Sequence, residues 1–196
     1  MTKKSKTTIA NRAAAHETAN KSTGQVLLIS YTDSKFVSLC REYRGFYILD
    51  AREKGWAKNE ALRTERLAEA FGERYKLMPA LAVARDETPE SYLRKIAPAI
   101  ERILQVTEKG RSVIITTFSS RLLKCLGHVL MSQNAKIPVW LRWENKDGEG
   151  IARQKPMAPE DFIEKLVAEC GRRADGGFKV NDDIDAADDF DDFSDF

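Results

Sequence analysis

Short apolar runs alternate with amphipathic segments through most of the chain. The apolar runs are typical of buried strands and lie at residues 25–30, 46–50, 75–77, 113–117 and 137–143. The amphipathic segments are typical of helices and lie at residues 35–42, 60–71, 89–106, 121–131 and 159–170. Strands that alternate with helices in this way form βαβ units, in which the strands are parallel and helices cover both faces of the sheet.

The pattern therefore predicts one α/β domain with a mostly parallel, doubly wound sheet of four to five strands and helices on both faces. We expect this domain to span residues 24–175, because the flanking segments carry no periodic apolar face. Residues 1–23 are predicted to form a flexible basic arm, and residues 176–196 a disordered acidic tail. Glycines in residues 147–150 predict a turn before the final helix.

Charge is strongly separated along the chain, although the net charge is only +2. Residues 181–196 hold eight of the 30 acidic residues and no lysine or arginine, so the other residues hold all 32 cations against 22 acids. A body this basic is expected to attract polyanions. A block of like charge is typical of a solvated interaction segment rather than of a core.

The loops after the predicted strands carry cations, hydroxyls and aromatic rings. Ligands of open parallel sheets bind beyond the carboxyl ends of the strands, and we refer to this end of the sheet as the carboxyl edge. The predicted nucleic-acid-binding residues at this edge are Lys35, Arg52, Lys54, Trp56, Lys58, Ser119, Ser120, Arg121, Arg142, Trp143 and Lys146. Cations and the helix N-termini near Ser34 and Ser119 would bind phosphates, while Trp56 or Trp143 would stack on an unpaired base. An ordinary solvated rim is the competing interpretation.

Known catalytic motifs do not occur in the sequence. It has no P-loop, GxGxxG, HExxH or nucleophile elbow, and we predict no catalytic residue, no metal ligand and no cofactor. His16 and His128 lack the spacing of metal ligands. Asp50 and Arg52 beside Ser119 would suit a polar site in principle, but a structural salt bridge is the favoured interpretation.

The cysteines and the first residues bear on the cellular compartment. Cys40, Cys125 and Cys170 are widely spaced and form no CxxC pair, so we predict reduced and mostly buried thiols. Residues 1–21 contain no apolar stretch long enough for a signal peptide or a membrane span. We therefore expect a cytoplasmic protein without a membrane partner.

Residues 181–196 read NDDIDAADDFDDFSDF, with each phenylalanine next to an aspartate. This segment resembles the acidic, phenylalanine-ending tails of bacterial and phage single-stranded DNA-binding proteins. The resemblance implies that the tail binds partner proteins and competes with DNA for the basic body. A phenylalanine would fill an apolar pocket while aspartates meet a basic rim. The predicted partner-binding residues are Asp191, Asp192, Phe193, Asp195 and Phe196. A tail that merely increases solubility is the alternative.

Residues 26–143 resemble the uncharacterised family catalogued as domain of unknown function 488. The shared features are the segments LLISYTDSKF, YILDAR and RYKLMPAL, followed by a later strand and helix. Where that family has Cys-and-Glu and then Cys-His-Arg signatures, this chain has TTF at residues 116–118 and KCLGH at residues 124–128. The resemblance implies a doubly wound fold, and it implies that a catalytic site of the family would be lost here.

These observations together predict a protein that binds single-stranded nucleic acid, with single-stranded DNA in phage or plasmid replication or recombination as the favoured setting. Replication or repair proteins would bind its tail. Two alternatives stay open: an interaction protein that mimics the host tail without binding DNA, and a degenerate enzyme-like domain that acts on a phosphorylated substrate. The sequence leaves homo-oligomerisation and the choice between DNA and RNA undecided. Salt-dependent binding to oligonucleotides would separate the first hypothesis from the others.

Overall fold

The computed structural model describes residues 24–55, 57–145 and 148–174. The predicted arm, the predicted tail, Trp56 and Lys146 lie outside the described residues. Within them the strands are β1 (Val26–Ser30), β2 (Tyr47–Asp50), β3 (Tyr75–Leu77), β4 (Val113–Thr117), β5 (Val139–Asn145) and β6 (Gly148–Arg153). The α-helices are α1 (Phe36–Glu42), α2 (Thr64–Phe71), α3 (Pro89–Glu108), α4 (Ser120–Gln133) and α5 (Pro159–Ala174). No helix in this part of the chain is long and apolar enough to cross a membrane.

All six described strands form one sheet in the order β3-β2-β4-β1-β5-β6. β1 pairs in parallel with β4 and β5, and β2 pairs in parallel with β3 and β4. Only β6 runs antiparallel, as the partner of β5 at one end of the sheet. The predicted α/β fold with a mostly parallel sheet is therefore confirmed, and the sheet has one strand more than the four to five predicted.

The central strands are buried on both faces because helices cover both. Val26 and Leu28 of β1 belong to a core with α3, α4 and α5, whereas Leu27 and Ile29 belong to a second core with α1 and α2. Successive side chains of a strand point to opposite faces, so β1 contributes to both cores in alternation. The sheet is thus doubly wound, as the sequence predicted.

The additional strand, β6, corrects the predicted turn. Residues 148–150 belong to the β5–β6 hairpin, and Gly150 lies directly opposite Trp143. A Cβ atom at position 150 would lie 2.9 Å from Cζ2 of Trp143. Glycine is needed here because the indole ring lies against the backbone of the neighbouring strand, which is a close approach rather than a turn.

The chain leaves two adjacent strands towards opposite faces of the sheet. After β1 it enters α1, which packs in the second core, and after β4 it enters α4, which packs in the first. Such a reversal is a topological switch point, where open α/β sheets form their ligand sites. The loops after β1, β2 and β4 are therefore the part of the carboxyl edge where a site is expected.

The three cysteines are free and buried, as predicted. Burial raises the pKa of Cys125 to about 11, and burial also raises the pKa values of Cys40 and Cys170. A thiol with a raised pKa is a weak nucleophile at neutral pH, so these side chains act as small apolar residues of the core.

Candidate functional site at the carboxyl edge of the sheet

A buried ion pair occupies the switch point. Asp50 ends β2 and is completely buried, and it accepts hydrogen bonds from Nε of Arg52 at 2.9 Å and from Nη2 of Arg52 at 2.6 Å. The Tyr75 hydroxyl donates to the same carboxylate at 2.5 Å. The Arg52 guanidinium lies 4.4 Å from the centre of the Tyr31 ring. Arg52 is thus held inside the protein by a carboxylate and an aromatic face, which agrees with the favoured interpretation of a structural salt bridge.

The pKa values around Asp50 follow from burial and from its negative charge. Burial raises the pKa of Tyr75 to about 12, and the neighbouring Asp50 carboxylate adds to this effect. The pKa of Tyr31 is raised well above its usual value for the same two reasons. Burial by itself would lower the pKa of Arg52, but the hydrogen bonds to Asp50, together with the charge interactions with Asp50 and the two tyrosines, outweigh it and raise that pKa. Both phenols are therefore neutral and the guanidinium is charged at physiological pH.

A second set of ion pairs holds Arg142 beneath the β5–β6 hairpin. Nε of Arg142 donates to Oδ2 of Asp33 at 2.7 Å, and its Nη2 donates to Oε2 of Glu149. The Lys35 ammonium group pairs with the other oxygen of Glu149 at 2.5 Å. Arg142 is buried, whereas the Lys35 side chain is half exposed. Arg142 and Lys35, predicted to bind phosphates, are thus both bound to carboxylates of the protein itself.

Carboxylates also occupy the N-terminus of α1. Glu144 accepts hydrogen bonds from the Ser34 backbone N–H at 2.8 Å and from its hydroxyl at 2.7 Å. The backbone N–H of Lys35 donates to Asp33 at 2.9 Å. The hydrogen bonds from Ser34 lower the pKa of Glu144, so this carboxylate is ionised at neutral pH. The N–H groups predicted to bind a phosphate already bind internal anions.

The N-terminus of α4 is capped by Ser119. The Ser119 hydroxyl oxygen accepts from the Leu122 backbone N–H at 3.1 Å. Its proton is donated to Oε2 of Glu169, a fully buried residue of α5, at 2.9 Å. Ser119 is itself buried, so its hydroxyl serves the contact between α4 and α5.

Several of the predicted residues lie exposed at the carboxyl edge. They are Lys54, Lys58, Ser120, Arg121 and Trp143, and the Trp143 side chain is 42% exposed. Trp140 and Trp143 lie on opposite faces of β5, and Trp140 is packed against the core beside α1. The structure therefore separates the predicted surface into exposed residues and the buried or ion-paired group of Lys35, Arg52, Ser119 and Arg142.

Sequence reasoning missed the acidic partners of these cations. Asp33, Glu144, Glu149 and Glu169 each fill a position where a bound anion was expected. The spacing of Asp50 and Arg52, two residues apart across a strand end, was the one local signal for such a pair. Glu149 of β6 lies 114 residues from its partner Lys35, and Glu169 of α5 lies 50 residues from its partner Ser119, so local sequence carries no signal for these contacts.

Comparison of the chain with protein-family models, curated proteins and solved structures finds no match. The two resemblances described for the tail and for residues 26–143 therefore stay predictions.

Proposed function

We propose that the protein binds single-stranded nucleic acid without sequence preference, as part of phage or plasmid DNA replication or recombination in the cytoplasm. The observation that carries this proposal is the separation of charge, with all 32 lysines and arginines in residues 1–180 and eight aspartates in residues 181–196. A basic body attracts the phosphate backbone of any nucleic acid, whatever its sequence.

The acidic tail is the second part of the proposal. Phe193 and Phe196 are apolar anchors between aspartates, which suits a small apolar pocket with a basic rim on a replication or repair protein. The tail lies outside the described residues, so this part rests on its sequence.

The exposed groups of the fold support binding rather than catalysis. The described surface carries many exposed lysines and arginines, and their positive field attracts phosphates. The buried polar groups of the switch point, Asp50 and Arg52, bind one another instead of facing a substrate. We therefore propose a binding protein and no reaction.

The proposal is tested by anisotropy titration of a fluorescein-labelled 20-mer of thymidine with the full chain at 50 and 200 mM salt. Three to five phosphate contacts would give a slope of log K against log salt of about −2 to −3.5, at roughly −0.7 per contact for a single strand. A uridine 20-mer compares RNA with DNA, and a duplex of equal length is the control. A lack of binding to both single strands at 50 mM salt would overturn the proposal.

A further inference from the structure

We infer that single-stranded nucleic acid binds at the end of the sheet opposite the carboxyl edge, in an aromatic groove surrounded by exposed cations. We name this end the amino edge. The inference rests on the proposed function and specifies its surface.

Exposed cations from four segments of the chain lie at the amino edge. Arg44 precedes β2, Lys109 and Arg111 precede β4, Lys136 precedes β5, and Arg153 ends β6, which returns to this end because it is antiparallel. The side chains of all five are exposed. The phosphates of one strand that crosses this edge can therefore meet cations from four different segments of the chain.

The balance of charge differs between the two edges. At the carboxyl edge, internal carboxylates bind Arg52, Arg142 and Lys35, and these cations have little charge left for a ligand. The acidic residues of the amino edge are Glu42, Glu73 and Glu108, of which Glu108 accepts a hydrogen bond from Asn134 rather than from a cation. The amino edge consequently keeps a net positive charge that is directed at solvent.

A shallow apolar groove of about 10 Å³ lies beside Arg44 and Arg153, so a base would stack across its mouth rather than enter it. Its lining residues are Gln25, Leu27, Tyr43, Phe46, Trp140 and Ile151. The rings of Tyr43 and Phe46 lie 5.0 Å apart. Trp140 is directly opposite Arg153 across the β5–β6 ladder, so an aromatic wall and a cation lie side by side. Half-buried aromatic rings next to arginines are the combination on which unpaired bases stack and phosphates bind.

The turn that carries Arg44 is held in place from the inside. Nη1 of Arg74 donates to the carbonyl oxygens of Tyr43, Arg44 and Phe46 at 3.3, 2.9 and 3.4 Å. Two walls of the groove and one of its cations are thus fixed by a single guanidinium. A groove of fixed shape binds a base without first having to order its own loop.

The first described residues lie at this same edge. Gly24 is buried against the backbone of Arg111, since a Cβ atom at position 24 would lie 2.0 Å from the Arg111 carbonyl oxygen. The next residue, Gln25, lines the groove.

Two matched triple variants of the full chain test the surface. Arg44→Ala/Lys136→Ala/Arg153→Ala removes three exposed charges from the amino edge, and Lys54→Ala/Lys58→Ala/Arg121→Ala removes three from the carboxyl edge. We expect the first variant to bind the thymidine 20-mer on the order of tenfold more weakly at 50 mM salt, and its salt slope to shrink by about 2. The second variant should stay within about twofold of the wild-type protein, with a nearly unchanged slope.

The groove is tested separately by fluorescence. The chain has three tryptophans, and Trp56→Phe/Trp143→Phe leaves Trp140 as the only one. Emission from Trp140 should be quenched on saturation with the oligonucleotide, and a Trp140→Ala change should weaken binding by about tenfold, as expected for one stacked base. Circular dichroism of each variant shows that it is folded.

The possible outcomes distinguish a failure of the inferred binding surface from a failure of the proposed function. Wild-type protein that binds the oligonucleotide, together with loss only in the carboxyl-edge variant, would refute the inference and leave the proposed function standing. Unchanged Trp140 emission at saturation would refute the groove. Wild-type protein that binds a peptide of residues 181–196 but no oligonucleotide would show that the groove accepts an acidic protein segment, and it would refute both proposals.

Discussion

The buried carboxylate of Asp50 determines whether the Arg52 guanidinium can bind a phosphate. A guanidinium at a strand end is a good phosphate ligand when it faces solvent, but here it lies under the Tyr31 ring and binds a buried carboxylate. Removing one member of a buried pair leaves the other charge without compensation, which costs far more than the pair itself contributes. The Asp50–Arg52 pair is therefore expected to matter for stability.

Changing Asp50→Ala should lower the free energy of unfolding by about 3–5 kcal/mol, because Arg52 would stay buried without its anion. Urea denaturation of the wild-type and variant proteins measures this difference. The control is Glu69→Ala, which breaks an exposed pair with Arg66 whose partners are 3.1 Å apart and should cost less than about 1 kcal/mol. Equal losses in the two variants would show that the buried pair has no special role.

Tyr75 should make the protein less stable at high pH. Its pKa is raised from the ordinary value of 10.0 to about 12 by burial and by Asp50. The folded protein thus holds this proton more tightly than the unfolded chain does, so the contribution of Tyr75 is complete below pH 10 and is lost as the pH rises towards 12. Tyr31 shifts in the same direction, so the comparison must be with a Tyr75→Phe variant.

The stability difference between wild type and Tyr75→Phe should therefore be constant below pH 10 and should change in favour of the variant between pH 10 and 12. Thermal unfolding followed at intervals across this range measures it. A difference that does not depend on pH would mean that the Tyr75 phenol has an ordinary pKa.

At the level of elements, the period of the apolar pattern was enough to predict the parallel strands and the helices that cross between them. β4 matches its predicted range because a β-branched run between a glycine and a capping serine is a strong local signal. β6 was missed because GEGIAR contains two glycines and little apolar surface. Its position depends on distant partners, since Glu149 binds Lys35 and Gly150 lies against Trp143.

For the candidate site, the sequence predicted the positions of the cations but not their ion pairs. The strand ends indicated which cations lie at the carboxyl edge, and Lys54 and Arg121 are exposed there. The sequence did not show that Arg142 is neutralised, because its partners Asp33 and Glu149 are brought to it only by the sheet and the hairpin. Local sequence patterns predict at which edge of the sheet a charged residue lies. Whether that charge can bind a ligand depends on tertiary contacts with residues distant in the sequence.

The β5–β6 hairpin should lose stability in acid. Hydrogen bonds from Lys35 and Arg142 lower the pKa of Glu149 below its ordinary value of 4.5. A lowered pKa in the folded state means that the contribution is present above pH 4.5 and is lost as the pH falls below it. Glu149→Gln should therefore be less stable than wild type at pH 7, and the difference should diminish below pH 4.5.

Thermal unfolding of both proteins between pH 3 and 7 tests this expectation, with the exposed Glu164→Gln of α5 as the control. The control should match the wild-type protein across the range, because Glu164 lies on a solvated helix face beyond the first turn of the helix. A Glu149→Gln deficit that persists unchanged at pH 3 would show that the ionisation of Glu149 does not stabilise the hairpin.

At the scale of the whole molecule, charge is distributed in three parts. At the carboxyl edge Lys35, Arg52 and Arg142 are paired internally, the amino edge leaves its cations exposed, and the segment of residues 181–196 carries eight aspartates. The electrostatic field far from the molecule depends on the total charge of the three parts. A direct contact with a ligand depends only on the part of the surface that the ligand touches. Removing the acidic segment therefore makes the long-range field of the molecule more positive.

Deletion of residues 182–196 removes eight negative charges and raises the net charge from +2 to +10. We expect the shortened protein to bind the thymidine 20-mer more tightly, by about tenfold at 50 mM salt and by much less at 200 mM, because salt screens exposed charges over a distance of roughly 10 Å.

The matched control replaces Phe190, Phe193 and Phe196 with alanine and keeps every aspartate. It should bind the oligonucleotide as the wild-type protein does, since apolar residues contribute little to the field, while it loses any partner that a phenylalanine anchors. Equal affinities of the full-length and shortened proteins at both salt concentrations would show that the acidic segment does not oppose nucleic-acid binding. Tighter binding by the phenylalanine variant would show that the rings, and not the charges, hold the segment against the body.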